Sequence, residues 1–510
     1  VALRSVFETP TPAGIAGQLL QADSVTLASI PRQSSDESAA PLSPAQERLW
    51  FLTQLEPEST AYHVHALLRI AGPLDRAALQ AAVDQVAARH GALRTTFAQQ
   101  YGAAVQVVSR SMPLVVMDAR GRPLAEFLDR PFDLSSGPLW RVVVQSDAED
   151  RHELLVVVHH VVADGWSMGV LFRDLAAAYA AARAGTAPVW PALSLQYADY
   201  ARWQRAELAG GQLDRELAYW REQLAGAPTV LALPTDRPRP AVQSWSGARL
   251  SRHLERSLVD ACQRLARDTG GTLFMVLAAA LATVLGRHAG SAEVLLGTPI
   301  AGRGRTELEQ LVGFFVNTLV LRVDVASPAT GRELLAQVRR TALDAYAHPD
   351  LPFEKIVEAL NPRRDRSRNP LVQVLLAVHN QPRAALSLDG LQVAMDHLDS
   401  DAAKFDLSVH AAEQDEAFML AFNYDSALFD ATTIEQLSAE LFSCLERLSS
   451  SADWSLSGWP GEAWPAALAV APLPGGDVWS AFSQVASRHR KALAVSDGQV
   501  RWSYGALAEY

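Results

Sequence analysis

Apolar residues recur along most of the chain at the spacings of helices and strands. The spacing is helical in residues 74–89 and 258–268. In residues 104–108 and 154–162 apolar or β-branched residues alternate or cluster as they do in strands. Helices and strands alternate in this way on both sides of a proline-rich stretch without periodicity at 231–247. We therefore predict an α/β protein of two packed lobes, joined by this long connection.

Both ends of the chain carry segments that do not fit the two lobes. A short helix is predicted after Thr11 and Pro12, but a single helix cannot fold alone. A serine-rich stretch at 29–40 is typical of a linker, and a new globular pattern starts near Val478. The predicted division is a remnant of a preceding domain at 1–24, a linker at 25–40, a first lobe at 41–215, a second lobe at 216–455, a linker at 456–475 and the truncated start of a further domain at 476–510.

Composition and charge argue against several classes of function. The 510 residues include 45 Lys and Arg against 56 Asp and Glu, and the net charge of -11 argues against nucleic-acid binding. The longest apolar run, 273–285, is shorter than the ~20 residues that a bilayer span needs, and no signal peptide is expected. Cys262 and Cys444 lie in helical apolar patterns, which is typical of packed thiols in a reducing compartment. We expect a cytoplasmic protein that binds no membrane.

The densest chemical signal is the run HHVVADGWS at 159–167, which follows a buried strand pattern. Neighbouring side chains of a strand point to opposite faces. One of His159 and His160 therefore faces a cleft while the other faces the interior of its lobe. This geometry argues against a shared metal ion, and we expect no metal site. Two packed structural histidines are the alternative.

Asp164 and Ser167 in the same run suggest further interpretations. An aspartate just before a glycine turn is typical of a residue that holds backbone or an arginine, so a structural role is favoured over that of a triad acid. The segment Gly165-Trp166-Ser167-Met168-Gly169 matches the G-x-S-x-G nucleophile elbow and is followed by a helix pattern. A serine hydrolase or thioesterase is therefore an alternative function, although VVAD separates Ser167 from the strand.

HHVVADGWS resembles the HHxxxDG signature of condensation domains of nonribosomal peptide synthetases, relatives of chloramphenicol acetyltransferase. Six other segments resemble the family's core motifs in the family's order, namely LSPAQERLWFL (42–52), RHGALRTTF (89–97), YADYARWQR (197–205), GFFVNTLVLR (313–322), HPDLPFEKIVEAL (348–360) and RSRNPLVQVLLAVHN (366–380). The resemblance spans about residues 41–450. It implies an α/β fold of two chloramphenicol acetyltransferase-like lobes that form a pseudo-dimer with a central tunnel.

The resemblance implies an amide-bond-forming acyltransferase. An acceptor amine would attack a donor aminoacyl or peptidyl thioester, with both substrates tethered to 4′-phosphopantetheine arms of carrier proteins. This prosthetic group belongs to the carriers and is not attached to this chain. The implied partners are an upstream donor carrier domain, a downstream acceptor carrier domain and the adjoining adenylation domain. A platform that recruits carriers without catalysis is another interpretation, and the intact HHxxxDG speaks against it.

The flanking segments resemble neighbours of such a domain. VFETPTPAGIAGQL (6–19) resembles the last helix of a peptidyl carrier domain, whose phosphopantetheine-bearing serine is expected upstream. Residues 478–510, with RWSYGAL at 501–507, resemble the opening of an adenylation domain. Because a carrier tail directly precedes the domain, no epimerase is interposed, and an L-configured donor is implied.

Three differences within the family bear on the reaction. Gly91 stands where the family usually has glutamate, so any contact from that carboxylate is missing. Heterocyclising relatives have DxxxxD at the histidine pair, and the retained His159 and His160 disfavour cyclisation. Epimerising relatives share the pair but usually lack the continuation Trp166-Ser167, so an epimerisation-type relative is a further alternative.

The resemblance also implies roles for individual residues. His160 is the residue at the active site, and its ring could act as a general base or hold the amine or the tetrahedral intermediate. Asn317 is the second candidate catalytic residue and would orient the amine or oxyanion, with a strand-end capping amide as the alternative. The supporting residues are His159 on the inward side, Asp164 paired with Arg303 across the lobe junction, Gly165 leaving room for the pantetheine arm, Arg89 and Arg94 as buttresses, and Trp166 as a gate on the acceptor side.

Overall fold

The computed structural model describes most of the chain. The described residues are 5–6, 11–21, 29–32, 39–363, 365–379, 388–396, 402–414, 417–456, 482–483, 486–488, 490–491, 493–496 and 501–509. They belong to two compact units, Val1–Gly458 and Trp459–Tyr510. Nearly all of the predicted linker at 456–475 and much of the linker at 25–40 lie outside the described residues.

The first unit is a mixed α/β structure with two large sheets. Its first half contains α1 (Pro12–Gln21), β1 (Ala39–Pro41), α2 (Pro44–Leu55), β2 (His63–Ala71), α3 (Arg76–Arg89), β3 (Thr95–Gln100), β4 (Ala103–Val108), β5 (Met117–Asp118), α4 (Ala125–Leu128), β6 (Trp140–Ala148), β7 (Arg151–His159), α5 (Gly165–Arg183), α6 (Tyr197–Glu207) and α7 (Leu213–Gln223). Its second half contains β8 (Gly247–Leu254), α8 (Arg256–Asp268), α9 (Leu273–Ala289), β9 (Glu293–Ile300), β10 (Asn317–Asp324), α10 (Gly331–Ala347), α11 (Phe353–Leu360), β11 (Val374–His379), β12 (Gln392–Asp396), β13 (Leu407–Gln414), β14 (Ala417–Asp425) and α12 (Ala431–Ser450).

Besides a small sheet of the order β1-β4-β3, the first unit has two large sheets, and the site lies at the end of a central strand of the first. The first sheet has the order β12-β2-β7-β6-β5, and the second has the order β10-β9-β11-β13-β14-β8. β7 is antiparallel to both of its neighbours, β2 and β6. The residues from Leu154 to Val158 are all fully buried. A strand covered on both faces explains the continuous apolar run in the sequence, and this strand delivers the histidine pair at its end.

One strand of the second half belongs to the sheet of the first. β12 pairs antiparallel with β2, with Gln392 opposite Ala71 and Asp396 opposite Leu67. The sheets therefore do not divide at residue 216, where the lobe boundary was predicted. The lobe boundaries stay a prediction, and this crossing strand is a feature that the sequence did not indicate.

The apolar run at 273–285 forms the buried helix α9. Every residue from Phe274 to Gly286 is buried, and Thr272 caps the helix by accepting a hydrogen bond from the Met275 amide. Within the described part of the chain, no single helix combines the length and hydropathy needed to cross a membrane. Only α8 and α9 taken together, at an angle of 103°, reach that length and composition.

Both cysteines are packed in helices of the second half. Cys262 in α8 and Cys444 in α12 are free and completely buried. Burial raises the pKa of the Cys262 thiol to about 11 and raises that of the Cys444 thiol as well. Neither thiol is therefore suited to act as a nucleophile.

The second unit contains a two-stranded antiparallel ladder of β15 (Leu493–Ser496) and β16 (Arg501–Ser503), followed by α13 (Tyr504–Glu509). These elements lie in the segment that resembles the start of an adenylation domain. In the first unit, α1 lies in the segment that resembles a carrier tail, and the Gly14 amide donates to the Thr11 hydroxyl at its start. Both domain assignments stay predictions.

Candidate active site

β7 ends in the histidine pair, and the two rings lie in different surroundings. His159 is 3% exposed and packs edge-on against His63 and Phe132, whose ring centroids lie 6.1 and 6.2 Å away. Its Nδ1 accepts a hydrogen bond from the Val161 amide at 3.1 Å. Burial lowers the pKa of His159 well below its ordinary value. This ring is therefore neutral and supports the strand end from inside the lobe.

His160 is held by its backbone and by one ring nitrogen. Its amide donates to the Tyr62 carbonyl at 2.8 Å, and its Nδ1 lies 2.8 Å from the Ala163 carbonyl oxygen. Because a carbonyl oxygen only accepts, Nδ1 carries the proton of the neutral ring, and Nε2 is the acceptor. The ring packs on Phe314 with centroids 4.8 Å apart. The contacts fix the tautomer and leave Nε2 for a substrate.

His160 lines a cavity of about 370 Å³ that is formed by residues of both halves. A second cavity of about 280 Å³ lies beside it. The two linings share Ala45, Phe314, Val316 and Asn317. Where the resemblance implies a tunnel, the structure therefore shows two cavities with a common wall, and His160 packs against Phe314 in that wall.

The surroundings keep the His160 ring neutral. Burial, together with the positive charge of Lys404, lowers the pKa of His160 to about 3. A free α-ammonium group has a pKa of about 7.7–8.0, so complete proton transfer from it to this ring is unfavourable. A neutral ring can still accept a hydrogen bond from an uncharged amine. Of the two roles that the sequence left open, this environment favours positioning over full proton abstraction.

Asp164 caps α5 and joins it to the second half. Its Oδ1 accepts hydrogen bonds from the Ser167 amide at 2.8 Å and the Ser167 hydroxyl at 2.7 Å. The same oxygen lies 3.2 Å from Arg303 Nη2, and Oδ2 accepts from the Phe315 amide at 3.0 Å. The side chains of Asp164 and Arg303 are 3% and 1% exposed. The ion pair implied by the resemblance is present, and it holds the two halves together directly behind His160.

Ser167 is part of this junction and is not available as a nucleophile. It is fully buried in the first turn of α5, and Arg303 Nη2 donates to its Oγ at 2.9 Å. The Gly313 amide also donates to Oγ at 3.1 Å. A nucleophilic serine needs access to substrate and a neighbouring base. Because this hydroxyl is enclosed and its acceptor positions are occupied, the structure does not favour the hydrolase interpretation.

Asn317 lines both cavities, but its amide is fully engaged within the protein. Its Nδ2 donates to the carbonyls of Pro349 and Leu351 at 3.0 and 2.8 Å. Its Oδ1 accepts from the amides of Thr318 and Phe353 at 2.9 and 3.0 Å. An asparagine amide offers two donors and two acceptor positions, and all are used here. The structure therefore favours the strand-end capping amide over the proposed role in orienting the amine or oxyanion.

Trp166 and Gly165 lie at the start of α5, outside the linings of both cavities. The Trp166 indole donates to the Glu309 carbonyl at 2.9 Å, and its ring lies 5.7 Å from the Arg303 guanidinium carbon. These contacts place Trp166 in the lobe junction and do not support the acceptor gate. Gly165 is exposed, and a Cβ there would meet no atom within 4 Å. Close packing within the protein does not explain why this residue is a glycine. That Gly165 leaves room for the pantetheine arm stays a prediction.

Arg89 and Arg94 lie outside both cavity linings and stabilise the first lobe. Arg89 Nε lies 2.8 Å from Asp174 Oδ2, and both side chains are almost fully buried. This pair joins α3 to α5, so it is not the exposed surface bridge that was the alternative. Arg94 donates to the carbonyls of Ala87 and Ser109. Arg89 therefore supports the site indirectly, through the packing of α5, whereas Arg94 fixes backbone at the end of α3 and after β4.

The cavity contains charged groups that the sequence did not single out. Arg48 and Glu354 form an ion pair of 3.4 Å on its wall, and Lys404 lines it together with His160. One signal was available in the sequence, because Lys404 is one of only three lysines among the 45 basic residues. Elsewhere, among the described residues, no three or more His, Cys, Asp or Glu side chains are placed to hold a metal ion.

A glycine in the lining of the second cavity gives a prediction about stability. Gly302 has a φ of +65°, and a Cβ there would overlap the Phe315 carbonyl oxygen. Gly302→Ala is expected to lower the free energy of unfolding by about 1–3 kcal/mol, since the backbone must move to make room. Urea unfolding followed by tryptophan fluorescence measures this change. The control is Gly304→Ala, where a Cβ meets nothing within 4 Å and no loss is expected. Equal midpoints for both variants would contradict the steric explanation.

Comparison with known proteins shows which family the chain resembles over most of its length. The family model for the condensation domain matches residues 36–457. A linear gramicidin synthase protein of Brevibacillus parabrevis is 41% identical over 469 residues, covering 88% of this chain and 6% of that protein. Phosphinothricin tripeptide synthetase PhsC of Streptomyces viridochromogenes is 41% identical over 446 residues, covering 84% of this chain and 41% of that protein. The chain thus spans less than half the length of these relatives.

Solved structures agree in fold. The crystal structure of the X-domain from teicoplanin biosynthesis superposes with a TM-score of 0.78 at 32% identity, covering 84% of this chain and 99% of that one. The two sheets with their helices are the two lobes of a chloramphenicol acetyltransferase-like pseudo-dimer. A family match over most of the chain, the ordered motifs and this fold lead to one assignment. The chain belongs to the condensation-domain family of nonribosomal peptide synthetases.

Proposed function

We propose that this chain forms an amide bond between two substrates that are delivered as thioesters on 4′-phosphopantetheine arms of carrier domains. The donor is an aminoacyl or peptidyl thioester with an L-configured residue, and the acceptor is an aminoacyl thioester with a free amine. The observation that carries this proposal is the placement of His160 Nε2. It is the free acceptor of a ring that lines one cavity and packs on the wall shared with a second.

The reaction asks little of the protein beyond placement. The thioester is already activated, and tethering both substrates turns a bimolecular encounter into one that is nearly intramolecular. The acceptor nitrogen attacks the thioester carbonyl carbon, the C–N bond forms and the C–S bond breaks. The proton lost from nitrogen replaces the acyl group on sulfur. His160 Nε2 accepts a hydrogen bond from the attacking amine and orients its lone pair toward the carbonyl.

The proposed partners follow from the same chemistry. An upstream carrier domain brings the donor, a downstream carrier domain brings the acceptor, and the adjoining adenylation domain belongs to the same synthetase in the cytoplasm. The relatives' names support membership of such multidomain synthetases. The burial of Ser167 argues against a serine hydrolase. The neutral His160 ring supports aminolysis, in which the ring accepts a hydrogen bond from the attacking amine.

The decisive experiment supplies both substrates. The purified chain is incubated with a donor carrier and an acceptor carrier loaded with pairs drawn from the proteinogenic amino acids. Intact-mass spectrometry then follows the acceptor carrier. We expect a dipeptidyl acceptor carrier for at least one pair, with the Ser167→Ala variant still forming product. Release of free amino acid without dipeptide would instead support a hydrolase, and a folded chain that gives neither with any pair would overturn the proposed reaction.

A further inference from the structure

A lysine shares the cavity with His160. Lys404 lies shortly before β13, and its ammonium nitrogen is 5.4 Å from the centre of the Tyr62 ring, whose own backbone carbonyl holds the His160 amide. Its backbone carbonyl accepts a hydrogen bond from the Gln243 side chain at 3.3 Å, which fixes the segment to the second half. The side chain therefore reaches from an anchored backbone into the space where the acceptor amine must lie to meet His160.

Among the charged groups of the described cavity lining, Lys404 is a cation without a paired carboxylate in that lining. The titratable and charged groups of the described lining are Arg48, Tyr62, His63, His160, Glu354, Lys404 and His410. Arg48 and Glu354 are paired with each other, and burial keeps the three histidines and Tyr62 in their neutral forms. Asp164, behind His160, is paired with Arg303. The described lining therefore carries a net charge of about one positive unit, contributed by Lys404. Outside this lining, the Glu56 carboxylate acts on Tyr62 and accepts a hydrogen bond from the Trp245 indole.

The choice of lysine at this position is itself informative. The chain uses lysine at only three of 45 basic positions, Lys355, Lys404 and Lys491. Burial lowers the pKa of Lys404 to about 8, close to the value of about 7.7–8.0 for a free α-amino group. An arginine would stay charged at every accessible pH. Because two cations in one cavity repel each other, the cavity disfavours a second protonated amine beside the charged lysine.

On the basis of the proposed function, we propose that the positive charge of Lys404 makes this cavity accept the acceptor amine in its uncharged, nucleophilic form. An acceptor that arrives as an ammonium ion gives its proton to solvent as it enters, because two neighbouring cations repel each other in a site with little water. His160 then needs only to accept a hydrogen bond. Lys404 is thus a positioning residue that acts on the protonation of the substrate.

The test compares pH profiles for two acceptors. Condensation rates are measured between about pH 6.5 and pH 9 for the wild type, Lys404→Met, Lys404→Arg and the control Lys355→Met, a partly exposed lysine paired with Glu358. One acceptor carries an ordinary α-amine, and the other carries an α-aminooxy group that is unprotonated at neutral pH. We expect Lys404→Met to lose about tenfold at the acidic end with the α-amine only, the fold-change of one pKa unit. Its rate should converge with the wild type at the alkaline end, while Lys404→Arg and Lys355→Met keep the wild-type rate at the acidic end.

A purely structural role for Lys404 would lower the rate equally at every pH and with both acceptors, and that result would overturn the inference. A second measurement does not depend on turnover. NMR titration of the His160 ring is expected to show protonation at a higher pH in Lys404→Met than in the wild type, since the repelling charge is gone. If the wild type forms no amide, the proposed function fails, but the NMR titration can still be carried out. A pKa of His160 that is the same in Lys404→Met and in the wild type would overturn the inferred effect of the Lys404 charge.

Discussion

Replacing His160 with alanine is expected to lower the rate of dipeptide formation by about 10²–10⁴-fold, the range by which a positioned proton-accepting group contributes to catalysis. The loss follows because Nε2 is the free acceptor of this ring, while Nδ1 is committed to the Ala163 carbonyl. His160 is partly exposed as a residue, and the backbone amide at position 160 keeps its hydrogen bond to the Tyr62 carbonyl in the variant. The chain should therefore fold normally and still bind carriers.

Two companion variants sharpen this experiment. His348→Ala removes a histidine that stacks on Tyr219 at 3.8 Å, lies outside both cavity linings and should leave the rate unchanged. His160→Gln retains an acceptor oxygen and is expected to recover part of the rate if the ring positions the amine. A rate for His160→Ala close to that of the wild type, measured by intact mass on the acceptor carrier, would remove the basis of the proposed mechanism.

Replacing Asp164 with alanine is expected to cause the largest loss of stability, about 3–5 kcal/mol in the free energy of unfolding. The substitution leaves the Arg303 cation buried without its partner and removes the cap of α5 and the acceptor of the Phe315 amide. Breaking one side of a buried pair costs far more than the pair contributes, because the remaining charge stays desolvated. Urea unfolding of the purified variant measures the effect.

The matched controls for Asp164 use charge and exposure. Asp453→Ala breaks an exposed ion pair with Arg332 and should leave the unfolding midpoint almost unchanged, since solvent screens such pairs. The double variant Asp164→Leu with Arg303→Met removes both charges together and should recover part of the lost stability. If Asp164→Ala unfolds at the same urea concentration as Asp453→Ala, the junction does not depend on this ion pair.

Periodicity predicted the elements well where one face or one run is buried. The pattern at 258–268 lies inside α8, and the run at 273–285 lies inside α9. Errors occur where side chains far apart in sequence decide the boundary. The sequence placed a helix pattern after Gly169, whereas α5 starts at Gly165 because Asp164 caps it. Within the motif at 313–322, the strand β10 starts only at Asn317, because the backbone before it makes other contacts, such as the hydrogen bond from the Phe315 amide to Asp164.

The candidate site was predictable only as far as its motif reached. The histidine pair was found from the residue pattern, and the arginine partner of Asp164 came from the resemblance. The tautomer of His160 and the engaged amide of Asn317 depend instead on contacts made by folding. Lys404 was missed because it belongs to no motif, and the rarity of lysine in this chain does not show where a lysine lies in the fold. Lys404 lines the same cavity as His160 because the segment before β13 in the second half packs near the end of β7. No local spacing in the sequence indicates this contact between distant segments.

The strand β12 restricts how the cleft can open. Its pairing with β2 runs from Gln392 opposite Ala71 to Asp396 opposite Leu67. Backbone hydrogen bonds between these two strands therefore connect the second half to the first. Wide separation of the halves would require this ladder to break, whereas a small rotation about it would not. Under the proposed function, long flexible phosphopantetheine arms suit a cleft that opens little. Such an arm can enter a narrow opening that a bulky substrate on a rigid carrier could not enter.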